Sequence, residues 1–86
     1  MILTLDVGNT NMTCGVFKDD EIIATFRITT KIPRTSDEYA MMLFNLLQQN
    51  QIQPSQIKDA IICSVVPDVM HSLASAMIKY LDIKPI

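Results

Sequence analysis

The chain has 86 residues, of which 49% are apolar and 19% charged, and its net charge is −2. That length permits one domain burying about 60% of its unfolded surface, and that composition excludes intrinsic disorder. The slight acidity offers no basic face to nucleic acid or an anionic membrane, and no apolar run approaches the roughly 20 residues that span a bilayer.

Met1 leads straight into "ILTLDV" with no Lys or Arg before it, which is not the pattern of a signal peptide. With only two cysteines, expected as unpaired thiols in a reducing compartment, the expected setting is cytoplasmic. "ILTLDV" (2–7) is a short run of Leu and β-branched residues ending at Gly8, and reads as an interior strand with apolar residues on both faces. Extended character resumes in "MTCGVF" (12–17) and again in "EIIATFRI" (21–28) after the acidic turn of Asp19, Asp20 and Glu21. In the third run Ile22, Ala24, Phe26 and Ile28 are expected to point one way, and Glu21, Ile23, Thr25 and Arg27 the other. Two tight connections joining three strands predict an antiparallel meander.

Pro33 breaks this pattern. Thr35 followed by Glu38 matches the capping box that opens a helix, and Tyr39, Met42, Leu43, Leu46 and Leu47 form an apolar stripe behind it. "QQNQIQP" reads as a solvated connection, and "DAIICSVV" (59–66) as a second buried strand. Pro67 suits the first turn of another helix, in which Val69, Met70, Leu73, Met77, Tyr80 and Leu81 form the stripe and Lys79 complements the dipole. "DIKPI" turns extended again. Cys14 and Cys63 are too few for a disulfide framework and lack zinc spacing, so both are expected as buried thiols, and the six methionines as core filler.

The order strand, strand, strand, helix, strand, helix needs one crossover and so one parallel pairing. The fold class is α/β: a mixed sheet with an N-terminal three-stranded antiparallel meander, followed by strand–helix units packed on it. Residues 1–86 form a single unit.

Both glycines of the chain, Gly8 and Gly15, fall in "LDVGNTNMTCGVF". Asp6 ends a strand, and Gly8 is expected to take a backbone conformation barred to other residues. Asn9, Thr10 and Asn11 follow. Such a turn exposes N–H groups and hydroxyls that can nest phosphate oxygens, with Asp6 holding an accompanying Mg²⁺. The same residues also make an ordinary hairpin with local hydrogen bonds. Neither a G-K-[ST] loop nor a G-x-G-x-x-G fingerprint is present.

Taken with "RTSDEY" (34–39) and "SVVP" (64–67), this stretch resembles the first phosphate motif of the acetate kinase, sugar kinase, heat-shock chaperone and actin superfamily. In its "GNTN" form, with a glycine four residues later, it resembles type III pantothenate kinase. The resemblance implies a ribonuclease H-like (actin-like ATPase) half-domain. It implies that Asp6, Val7, Gly8, Asn9, Thr10, Asn11, Met12 and Thr13 wrap the phosphates of ATP, with Asp6 also positioning Mg²⁺. The family reaction moves the γ-phosphoryl of ATP to pantothenate, the first step toward coenzyme A. Family members are far longer homodimers. Their pantothenate-binding "GADR" segment with its catalytic aspartate, their second phosphate motif and their potassium (K⁺) site are expected beyond Ile86. On that reading residues 1–86 are the N-terminal nucleotide-binding half, hold no catalytic residue of their own and do not turn over alone.

The remaining candidates have structural explanations. Arg34 and its neighbours fit a helix cap, though the guanidinium could face an anion. Ser64 fits strand-end capping, and His71 a solvated helix position. The Asp19–Glu21 turn fits a hairpin tip rather than a calcium loop. Two rival functions stand beside the leading one: another kinase or phosphatase of the same superfamily, and a non-enzymatic folding or interaction module.

Overall fold

Strict alternation in the first strand decides the layering. In the computed structural model, which describes residues 1–86, strand β1 (Ile2–Val7) buries Leu3, Leu5 and Val7 and exposes Ile2 and Asp6. Its partner β2 (Asn11–Lys18) buries Met12, Cys14 and Val16, which lie directly opposite them. With β3 (Glu21–Thr29) and β4 (Asp59–Ser64) these strands form one sheet in the order β3-β2-β1-β4. β1 runs antiparallel to β2 and parallel to β4, as the expected meander and crossover require.

Helices α1 (Ser36–Gln49) and α2 (Pro67–Ala76) pack on one face of the sheet, and a single cluster of 20 buried residues joins the two layers. The opposite face is open. β1 and β4 are therefore buried on the inward side only, contrary to the expectation that both would be buried on two sides: Ile2 and Ile61 point outward and are exposed. Cys63 shares that outward face and is exposed, so only Cys14 is a buried thiol. Burial pushes the Cys14 thiol up to about 12, because desolvation penalises the thiolate.

A bulge corrects the third strand. Val16 pairs with Ala24 but Phe17 pairs with Ile22, leaving Ile23 as the extra residue. Beyond the bulge the inward set changes parity, so Ile22 leaves the face of Ala24, Phe26 and Ile28 and stands exposed opposite Phe17.

The capping box forms as expected. The Glu38 N–H donates to Thr35 Oγ1 at 3.2 Å and the Thr35 N–H to Glu38 Oε1 at 2.8 Å. The α1 stripe buries Tyr39, Leu43 and Leu47, with Met42 and Leu46 half-buried, while Met41 faces solvent and fills no core. The connection after α1 is tethered rather than wholly solvated, since Ile52 and Ile57 are buried on either side of a 3₁₀ turn at Pro54–Gln56. In α2, Leu73 and Ala76 are buried, and the helix widens into one π turn over Met77–Leu81, whose Met77 is buried too. Tyr80 lies outside the expected stripe. Its ring meets Phe44 edge-on at 6.2 Å, and its hydroxyl, with Lys79 Nζ at 2.9 Å, hydrogen-bonds Asp37. Lys79 therefore ties α2 to the start of α1. At the chain's end the Ile86 N–H donates to the Ala60 carbonyl and the Ile62 N–H to the Ile86 carbonyl, a parallel pairing on the outer edge of β4.

Tyr39 is fully buried, and its hydroxyl is the sole buried side-chain polar atom with no hydrogen-bond partner. An unpaired buried hydroxyl destabilises. Tyr39→Phe is therefore expected to leave stability unchanged or raise it by up to about 1 kcal/mol, read by chemical denaturation.

Candidate functional site

The turn between β1 and β2 is shaped by close approach rather than by unusual dihedrals. Its Gly8 N–H donates to the Asn11 carbonyl at 2.9 Å, and a Cβ at Gly8 would sit 3.2 Å from that oxygen. No glycine in the chain has positive φ, so the expectation of a left-handed Gly8 is corrected: the position needs a missing side chain, not a missing steric barrier. Gly15 follows similar logic one strand on. A Cβ there would meet Thr4 Oγ1 at 3.0 Å, and that hydroxyl donates to the Gly15 carbonyl at 3.3 Å.

Thr30 clamps the turn from below, a role with no visible signal in the polar stretch "TTKIPR". It is a buried polar residue whose hydroxyl donates to the Gly8 carbonyl at 2.8 Å, while its N–H donates to the Thr10 carbonyl at 2.9 Å. The other two motifs meet the same end of the sheet. Arg34 Nη1 donates to the Thr29 carbonyl and its guanidinium lies 6.0 Å from the Tyr39 ring centre. The Val65 N–H donates to the Val7 carbonyl at 3.3 Å, which lays the start of "VVP" against the end of β1. Three stretches separated by up to about half the chain thus converge around one turn.

Within this end, Asn9, Thr10 and Asn11 are exposed at the turn, with Asp6 and Thr13 exposed just below it on the open face. Val7 and Met12 point inward and are buried, so they can offer a ligand only backbone. Asp6 and Thr13 are direct cross-strand partners, and Cys63 flanks Asp6 on the other side. The Asp6 carboxylate carries no hydrogen bond or ion pair within the chain, and nothing covers it. A single free carboxylate beside hydroxyl and amide groups matches the way Mg²⁺ is held, through one or two carboxylates with phosphate oxygens and water as the remaining ligands.

The other candidates fall to structural roles. Ser64 Oγ accepts from the Val66 N–H and lies 2.9 Å from the Val66 carbonyl, a local turn between β4 and α2. His71 is exposed on α2, and Asp19 and Asp20 form the hairpin tip, with Asp19 left-handed at φ 56°. A concavity of about 520 Å³ lies away from this turn beside Phe44, Gln48 and Gln51–Pro54 and is lined by no titratable group.

Comparison with known proteins adds an independent finding. A family model described as type III pantothenate kinase matches residues 2–86. The type III pantothenate kinase of Agathobacter rectalis is 66% identical over 86 residues, covering all of this chain and 33% of that protein. That of Bifidobacterium longum is 51% identical over 85 residues, covering 99% of this chain and 33% of its own length. The chain thus spans about a third of the curated relatives it matches. Among solved structures, YeaZ from Pseudomonas aeruginosa superposes with a TM-score of 0.62 at 13% identity, over 99% of this chain and 42% of that one. That likeness establishes the fold alone, a mixed α/β sheet with the meander β3-β2-β1 at its start. On sequence, the chain belongs to the type III pantothenate kinase family.

Proposed function

We propose that residues 1–86 form the phosphate-binding half of an ATP-dependent pantothenate kinase, the enzyme that opens coenzyme A biosynthesis. The observation that carries the reading is the Gly8–Asn11 turn, pinned by Thr30 and bordered by the free Asp6 carboxylate, at the point where three separate motifs meet. In this reading Asn9, Thr10, Asn11 and Thr13 hydrogen-bond the phosphate oxygens. Gly8 lets the backbone come close, and Val7 and Met12 fix the turn from the core. Asp6 would hold Mg²⁺, whose chemistry is to neutralise charge on the transferred phosphoryl group. Phosphoryl transfer is mostly positioning and electrostatics, and this turn supplies the nucleotide's share of both.

The register sets no second carboxylate beside Asp6, whose row is Cys63, Thr13 and Arg27: Asp59 pairs with Ile2 at the other end of β1, and Asp19 and Asp20 lie past the far end of β2. The acceptor side therefore belongs to residues outside this segment, as do the K⁺ site and the homodimer contact that the family resemblance implies. The 86-residue chain is expected to release no ADP with pantothenate in a coupled assay, while the longer protein containing it does. Steady turnover by the short chain would overturn the assignment of this segment as a half-site.

A further inference from the structure

One cross-strand row of the open face ends in a cation without a partner. The register places Cys63 beside Asp6, Asp6 beside Thr13, and Thr13 beside Arg27, so the row crosses all four strands. All four residues are exposed. The neighbours of Arg27 on β3, Phe26 and Ile28, pack inward on the core, so the pleat sends Arg27 out on the same side as Asp6. The next two rows read Ile61, Thr4, Gly15, Thr25 and then Asp59, Ile2, Phe17, Ile22, with no basic residue in either. Arg27 is thus the sole cation in the rows of this face.

Adjacent strands lie about 4.8 Å apart, so Asp6 and Arg27 stand roughly 10 Å from each other across the small Thr13 side chain. They do not pair: the single ion pair of the molecule joins Lys79 to Asp37. A carboxylate able to hold a cation on one side, and a guanidinium fork on the other, bracket a space the size of a phosphoryl group. The fork presents five donors in a plane, a geometry that matches two phosphoryl oxygens at once.

We infer that Arg27 binds the terminal phosphoryl oxygens of the nucleotide, opposite those bound through Asp6. This rests on the nucleotide reading of the Asp6–Thr13 segment. No bond is made or broken by Arg27. It screens charge and fixes the orientation of the polyphosphate over Thr13.

The test uses the longer protein that contains this segment, with Arg27→Gln, Arg27→Lys and Asp6→Asn compared by calorimetric titration of ATP and AMP. Arg27→Gln is expected to weaken ATP about ten- to hundredfold, to change AMP by less than about threefold, and to leave the melting temperature unmoved. Arg27→Lys keeps the charge but not the fork, so an intermediate loss is expected; it also serves if the glutamine variant does not fold. Equal losses for ATP and AMP, or a loss matched by a lower melting temperature, would show that Arg27 merely protects the edge strand β3 and would overturn the inference. Unchanged ATP binding in both Arg27 variants, with Asp6→Asn weakened, overturns it while leaving the nucleotide reading intact. If Asp6→Asn is also unaffected, the nucleotide reading itself fails, and the role of Arg27 with it.

Discussion

On the proposed function, Asp6→Asn in a full-length protein carrying this segment is expected to lower kcat/KM for ATP by about a hundredfold or more without disturbing the fold. The side chain is exposed and bonds to nothing in the chain, so the change removes charge and little else. Exposed substitutions of this kind usually alter stability by less than about 0.5 kcal/mol. The residue's backbone is held on both sides, opposite Thr13 in β2 and Cys63 in β4, so the amide would occupy the place of the carboxylate. On the proposed reading of Asp6 as a Mg²⁺ ligand, raising Mg²⁺ should recover part of the loss. Steady-state kinetics at two Mg²⁺ concentrations, beside a thermal melt, decides the matter. Activity within about threefold of the parent would remove Asp6 from the mechanism.

Leu5→Ala is expected to have the largest effect on stability, about 3–4 kcal/mol by urea denaturation. Leu5 is 1% exposed at the middle of β1, an inner strand, with Cys14 on one side and Ile62 on the other. The sheet ladders fix the backbone on both flanks, so the neighbours cannot collapse into the space that three lost carbons leave. A chain of this size has a total stability of only about 4–13 kcal/mol, so the variant loses a large share of it. A measured loss below about 1 kcal/mol would mean that the two layers repack around β1 rather than being set by it.

These two residues, adjacent in sequence, show what could be read beforehand. The inward set of β1, the capping box, the meander and, Tyr80 apart, both helix stripes follow from periods of 2 and 3.6 and from local turn chemistry, and the structure reproduces them. Which sheet face is covered does not follow from those periods. Ile2, Ile61 and Cys63 look buried in a sequence because Ile and Cys usually are, yet they lie on the face that neither helix reaches. The bulge at Ile23 was also invisible, since one extra residue leaves the composition of a strand unchanged while reversing the side on which Ile22 emerges. At the candidate site, the residue types of the turn were legible but its reason was not. Gly8 matters for its distance to Asn11, and Thr30 for two bonds made across 20 residues or more, and neither leaves a local pattern.

The position of β1 has a consequence for the thermodynamics of ligand capture. Every residue from Ile2 to Val7 is paired on both sides, so this strand cannot open locally without breaking two ladders together. Its amides should exchange with solvent only through global unfolding, whereas Asn9 and Thr10, which lie outside the ladders, exchange freely. Conformational freedom at this end of the sheet is thus confined to a few residues at the tip of its most restrained element. A bound anion would order little backbone, and the entropy lost on binding would be correspondingly small.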